Sequence, residues 1–236
     1  MRCRLSLILA GMVVALPVLA EPPATVSPAT TPAAAGMIDV RTLVPDLAED
    51  MRYAGSDNFT GTVVDGYDAP RCYLRKGAAT ALARVEHTLR QSGMRLKLWD
   101  CYRPARAVAV FVRWAHDLSD TGTKAVHYPN IDKSALLGEY IAPVSGHSKG
   151  ATVDLTLMQC HAGKSCVPLD MGTDFDFFDP MAHTDAATIS PTQKTNRLLL
   201  KKAMEGAGFV NYPQEWWHYS LPSAVDPGVI YDVPVR

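Results

Sequence analysis

Two short stretches hold side chains whose types and spacing suit chemistry: Ser145-Gly146-His147-Ser148-Lys149-Gly150-Ala151-Thr152-Val153-Asp154 and Glu215-Trp216-Trp217-His218. In the first, an imidazole sits in a glycine-flanked turn and a carboxylate follows seven residues later, inside an alternating run. In the second, a carboxylate precedes an imidazole by three residues. Two histidines and one aspartate make a three-ligand nitrogen and oxygen set that leaves the fourth zinc position for water, the pattern of a catalytic rather than a structural site. Glu215 is then a spare carboxylate. Hydrolysis needs one, to take a proton from the attacking water and hand it to the departing amine. Each residue also has a plainer reading: a lone histidine is more often a hydrogen-bonded structural residue, and Trp216 with Trp217 more often belongs to a core. On spacing alone the two readings stand even.

The elements that must position these groups are readable from periodicity. Residues 76–92 carry Ala, Leu and Val at helical spacing and are closed by Gly93. Residues 94–102 then alternate as a half-buried strand, and Pro104 suits the first turn of a helix over residues 105–117. Arg103 therefore sits at a strand-to-helix corner. Residues 151–158 alternate again, which aims Asp154 away from Val153 and Leu155. A helix is expected over residues 192–207, and residues 209–210 and 216–221 complete the sheet. Without a regular β-α-β alternation this predicts an α+β fold: a small, mostly antiparallel sheet with helices packed on one face and the zinc site at the sheet face.

The chain has 236 residues, 47% of them apolar, enough for one substantial core. Lys and Arg number 23 against 24 for Asp and Glu, so no excess positive field exists to draw nucleic acid or anionic lipid. Arg2 and Arg4 precede a nearly apolar run over residues 5–19 that ends at Ala20. That is the form of a cleaved secretory signal over residues 1–20, too short for a membrane span and leaving no stable anchor. Residues 21–36, rich in Pro, Ala and Thr, read as a linker, and one catalytic domain is expected over 37–236. Cleavage removes Cys3 and leaves Cys72, Cys101, Cys160 and Cys166, an even count that favours disulfides in an oxidising, periplasmic or otherwise exported setting.

The pattern Ser-x-His-x-x-Gly-x-x-x-Asp followed by Glu-x-x-His resembles the M15 zinc peptidases, and best their dipeptidase branch of the VanX type. The likeness runs through Asp57-Asn58-Phe59-Thr60-Gly61, Val64-Asp65-Gly66-Tyr67, Trp99-Asp100 with Tyr102-Arg103-Pro104, Tyr128 to Asp132, Met171-Gly172 and Phe175-Asp176-Phe177. The resemblance implies that His147, Asp154 and His218 bind one zinc ion per chain and that Glu215 is the general base. It further implies that Arg103 stabilises the oxyanion and that Ser145, Tyr53, Tyr67 and Asp176 line a dipeptide pocket, with Asp176 facing the free ammonium. The chain departs from the family at Thr152, where Ala is usual, at Cys101, where cytoplasmic members commonly have Gly, and in an enlarged stretch over residues 159–165. Beside that resemblance, Cys72 with Cys101 and Cys160 with Cys166 form a natural pairing, other pairings or free thiols remaining open. His87, His116, His127, His161 and His183 read as structural or solvent-facing; of these, His183 is singled out because it follows closely on a candidate site residue, Asp176.

The expected activity is hydrolysis of D-Ala-D-Ala to two D-alanines in peptidoglycan metabolism. A D,D- or L,D-carboxypeptidase acting on longer stem peptides is the alternative, and a non-hydrolytic zinc module is disfavoured because binding alone needs neither Glu215 nor Arg103. Export tilts the purpose toward recovery of D-alanine rather than glycopeptide resistance. Oligomeric state is not encoded legibly.

Overall fold

The computed structural model of the chain describes residues 24–161 and 165–236, so the expected signal peptide, Cys3 and part of the enlarged stretch lie outside the described residues. In chain order the strands and helices are β1 (Thr25–Val26), β2 (Met37–Asp39), β3 (Ala48–Glu49), β4 (Tyr73–Arg75), α1 (Lys76–Arg90), β5 (Met94–Asp100) and α2 (Ala105–His116). After them come α3 (Lys124–His127), β6 (Thr152–Gln159), β7 (Val167–Pro168), α4 (Pro191–Glu205), β8 (Val210–Asn211), β9 (His218–Ser220) and β10 (Val229–Ile230). The main sheet runs β3-β5-β6-β9-β8, with β7 joined to one end of β6. Every pairing in it is antiparallel except β3 with β5. This is the α+β architecture expected.

Helix α1 buries Ala78, Ala81, Leu82, Val85 and Leu89, an i, i+3, i+4 stripe that needs a partner surface. Glu86 on the same helix is fully buried and accepts from Arg90 Nε at 2.8 Å, Arg95 Nε at 3.1 Å and the Leu96 amide at 2.7 Å. One carboxylate thus locks α1 to the start of β5. Helix α4 opens with Pro191 behind a reciprocal Ser190/Gln193 capping box, which satisfies two otherwise unpaired amides.

Two expectations need correction. The alternation in β6 predicts a half-buried strand, yet all its residues but Gln159 are buried. Successive side chains point to opposite faces, so both faces of this central strand are covered. The linker expected over residues 21–36 is, from Ala24 onward, part of the folded body. Strand β1 pairs in parallel with β10, Ala35 is buried, and the Arg75 guanidinium donates to the Ala35 carbonyl at 2.9 Å. Small residues lacking a large apolar side chain order here through backbone hydrogen bonds to the C-terminal strand, a long-range partner that local composition does not reveal.

One edge of the sheet carries a measurable strain. Burial pushes the Glu49 carboxyl up to about 7, with Arg41 only partly offsetting it. Its side chain is 2% exposed, with Arg41 Nε 3.4 Å away, and neither oxygen accepts a hydrogen bond. Because the folded value lies above the unfolded one, no penalty exists below about pH 4.5, and one grows as pH rises through 7. Glu49→Gln is therefore expected to leave Tm unchanged at pH 4.5. At pH 8.5 it should stabilise the protein by about 1–2 kcal/mol, a few degrees in Tm. Equal Tm differences at the two pH values would contradict this assignment.

Candidate metal centre and active site

Sheet register builds most of the site. On β6, Asp154 is paired with His218 of β9 on one side and with Asp100 of β5 on the other. Three polar residues therefore lie in one row across three strands. His147 comes from outside the sheet, on the short 3-10 turn Gly146–Lys149, whose end is set by Gly150 at φ +79°. A side chain at Gly150 would be strained by that φ and would place a Cβ 2.7 Å from Met37 Cε.

His147 Nε2 stands 3.2 Å from Asp154 Oδ2, His218 Nδ1 stands 3.1 Å from Asp154 Oδ1, and the two imidazole nitrogens are 3.3 Å apart. Ligands about 2.0–2.2 Å from a tetrahedral zinc ion are separated from one another by about 3.3 Å, which the two nitrogens match, while Asp154 turns a different oxygen to each imidazole; with one atom from each residue the three donors lie within 4.8 Å of one another. Two further observations fit a cation. His147 Nδ1 donates to the Cys101 carbonyl at 2.7 Å, which leaves the Nε2 lone pair aimed at the cluster. Asp154 Oδ1 is buried and accepts no hydrogen bond despite its histidine neighbour. Burial alone would raise the Asp154 carboxyl, but His147 and His218 outweigh it and hold it below the usual carboxylate range. Among the described residues this is the one cluster of three such groups close enough to share an ion.

Glu215 Oε2 lies 3.4 Å from His218 Nδ1, and burial pushes its carboxyl up to about 7, an effect that His218 partly opposes. The turn that presents it is held by the Glu215 amide on the Tyr212 carbonyl at 3.0 Å and by Asn211 Nδ2 on the Glu215 carbonyl at 3.1 Å. Arg103 reaches the same space from the corner after β5. Its Nε and Nη2 each lie 2.9 Å from Asp100 Oδ2, and its guanidinium carbon sits 4.9 Å from the Phe111 ring centre and 5.1 Å from that of Tyr53. An acid behind and two rings beside it leave this cation one direction to face.

These groups open into a cavity of about 260 Å³ lined by Tyr53, Arg103, Ser145, His147, Asp154, Asp176, Glu215 and His218, with Phe59, Phe111, Ile141 and Phe178 as apolar walls. Asp176 is buried and takes the Tyr53 hydroxyl on Oδ2 at 2.8 Å. Burial and the nearby Asp154 push its carboxyl well above the usual range. Its backbone is at φ +56°, unusual for a residue other than glycine. The loop is pinned by His127 Nδ1 on the Asp176 carbonyl at 2.9 Å. Arg197 clamps both ends of it, donating to the carbonyls of Met171 at 2.7 Å, Met181 at 3.0 Å and His183 at 2.6 Å.

Tyr67 is the exception among the expected pocket residues. It does not line the cavity, because its hydroxyl is turned to Asp100 Oδ1 at 2.6 Å behind Arg103. Ser145 does line it, but its hydroxyl also accepts the His147 amide at 3.2 Å as the cap of the 3-10 turn. His183 lies away from the cavity, in a cleft with Asp179 and Pro213. Sequence reasoning assigns no role to Asp100, although it stands in a motif beside Arg103, and misses the pinning by His127 and Arg197. A buried arginine on a helix face and a histidine far along the chain carry no local signal of what they hold.

Against that geometry, residues 33–236 match the Peptidase_M15 family, described as D-Ala-D-Ala dipeptidase. The chain belongs to this M15 family. It is therefore a zinc-dependent peptidase. Among M15 relatives, a D-alanyl-D-alanine dipeptidase of Streptomyces coelicolor is 42% identical over 194 residues, covering 82% of this chain and 95% of that one. A D-alanyl-D-alanine dipeptidase of Enterococcus faecalis is 41% identical over 187 residues, covering 79% and 91%. Among solved structures, a vancomycin-resistance D,D-pentapeptidase VanY in complex with Zn(II) shares 16% identity over 64% of this chain and 73% of that chain, with a TM-score of 0.39. Both disulfides pair as expected, Cys72 with Cys101 and Cys160 with Cys166.

Proposed function

We propose that this protein hydrolyses D-Ala-D-Ala to two molecules of D-alanine, using one zinc ion held by His147, Asp154 and His218. The observation that carries the reading is the convergence of that donor set, Glu215, Arg103 and Asp176 on one small cavity. Support comes from relatives that bear the dipeptidase name over most of their length. Bound zinc supplies a Lewis acid that acidifies water and polarises the scissile carbonyl. The protein's own groups do the rest. Glu215 takes a proton from the attacking water as its oxygen bonds to the carbonyl carbon, then delivers that proton to the amide nitrogen as the carbon–nitrogen bond breaks. Arg103 faces the carbonyl oxygen, where a fixed guanidinium binds the tetrahedral anion more tightly than the planar amide. The buried Asp176 receives the free ammonium of the dipeptide, with Tyr53 holding the carboxylate in place. A longer peptide has an amide at that point, so it cannot repay the burial of this carboxylate.

We place the enzyme outside the cytoplasm, on the strength of the N-terminal signal pattern and two disulfides, which persist in oxidising compartments. No helix among the described residues is long and apolar enough to cross a membrane. A substrate panel tests the reading. Free D-Ala-D-Ala should be cleaved with kcat/KM at least about 10²-fold above that for a D-Ala-D-Ala-terminated pentapeptide. A chelator should abolish turnover and added zinc restore it. Comparable rates on the two substrates would instead make this a carboxypeptidase.

A further inference from the structure

We infer that the Cys72–Cys101 disulfide is a positioning element of the active site, setting the grip on zinc and the aim of Arg103, and not only a staple of the fold. The inference rests on the reading that His147, Asp154 and His218 hold zinc. Cys72 immediately precedes β4 and Cys101 immediately follows β5. Their Cα atoms are 5.3 Å apart and both residues are buried.

Cys101 is the centre of a four-residue segment on which three site tasks depend. Asp100, just before it, holds the Arg103 guanidinium and the Tyr67 hydroxyl. The Cys101 carbonyl oxygen receives His147 Nδ1 at 2.7 Å. Arg103, two residues on, points its guanidinium into the cavity while its amide donates to the His147 carbonyl at 3.3 Å. The ladder between β5 and β6 becomes irregular between Leu98 and Asp100, and β5 ends at Asp100. On the β5 side, regular sheet pairing therefore stops at Asp100, just before Cys101. Beyond it, the Tyr102 amide donates to the Tyr73 carbonyl of β4 at 3.0 Å, one residue along from the disulfide on both strands. The covalent bridge and that hydrogen bond together tie the Cys101 carbonyl to β4. That carbonyl selects the His147 tautomer and turns its ring, so a shift in it is felt as a weaker metal ligand.

The test compares three variants by zinc affinity in chelator competition and by kcat and KM on D-Ala-D-Ala at saturating zinc. Cys72→Ala/Cys101→Ala is expected to weaken zinc binding about 10–100-fold. Its kcat should remain reduced with zinc in excess, because Arg103 has lost its aim, while KM changes little. Cys160→Ala/Cys166→Ala, away from the cavity, should keep both values. Leu89→Ala, a core cavity in α1, should lower Tm and leave zinc affinity alone. Should the first pair not fold, Cys72→Val/Cys101→Ala takes its place. Wild-type zinc affinity and kcat in the folded pair, changes no larger than those of Leu89→Ala, or failure of both pairs to fold would each overturn the proposal. Absence of zinc binding in the wild-type protein would overturn the metal reading itself, a separate outcome.

Discussion

Replacing Glu215 with glutamine is expected to lower kcat on D-Ala-D-Ala by about 10³-fold, with zinc content and Tm close to wild type. The glutamine side chain matches the volume of the acid and can still accept a hydrogen bond from water, but it cannot take a proton. The effect therefore falls on chemistry rather than on binding. Glu215 is suited to the task because burial raises its carboxyl to about 7, so that near neutral pH it can accept a proton and release it again. It is also within reach: its Oε2 is 3.4 Å from the His218 nitrogen that faces the donor cluster. Zinc content by mass spectrometry separates this role from ligation. A variant that loses its metal along with its activity would make Glu215 a ligand. One that keeps more than about a tenth of the wild-type kcat would remove it from the proton path altogether.

Arg103→Lys is expected to lower kcat/KM by about 10²–10³-fold without loss of zinc. The guanidinium does two things at once that an ammonium cannot. It places Nε and Nη2 each 2.9 Å from Asp100 Oδ2 at its back, and it packs against the adjoining rings of Tyr53 and Phe111. A lysine could satisfy Asp100 or reach the cavity, but its single charged nitrogen has no rigid fork with which to do both. Because the oxyanion exists only after attack, the loss should appear mainly in kcat. Full activity in Arg103→Lys would show that positive charge alone suffices and that the planar geometry is incidental.

The proposed metal donors and Glu215 are legible in the sequence because each sits in a short motif, and motif spacing survives without coordinates. Arg103 is legible for a similar reason, its Pro104 neighbour marking the corner between strand and helix. Tyr67 misleads because a pocket residue and a residue directly behind the pocket look alike in one dimension. Only the direction of its hydroxyl, toward Asp100, tells them apart. The segment 24–36 misleads for the opposite reason. Its small residues give no local drive to order, and the partner that orders it lies some two hundred residues away in β10. Helices α1 and α4 follow their apolar periodicity closely, whereas the strand expected over 216–221 shortens to His218–Ser220, since Trp216 and Trp217 serve the core ahead of the ladder.

The row formed by Asp100, Asp154 and His218 ties catalytic competence to the folding of the sheet itself. A slip of one residue in either pairing of β6 would turn one member of that row to the opposite face, so no misregistered sheet could retain the proposed metal donors and the arginine's acid together. Partial assembly yields no partial enzyme. Each molecule is either correctly zipped across three strands and active, or inert. An enzyme built this way offers no half-competent hydrolase before its sheet has closed.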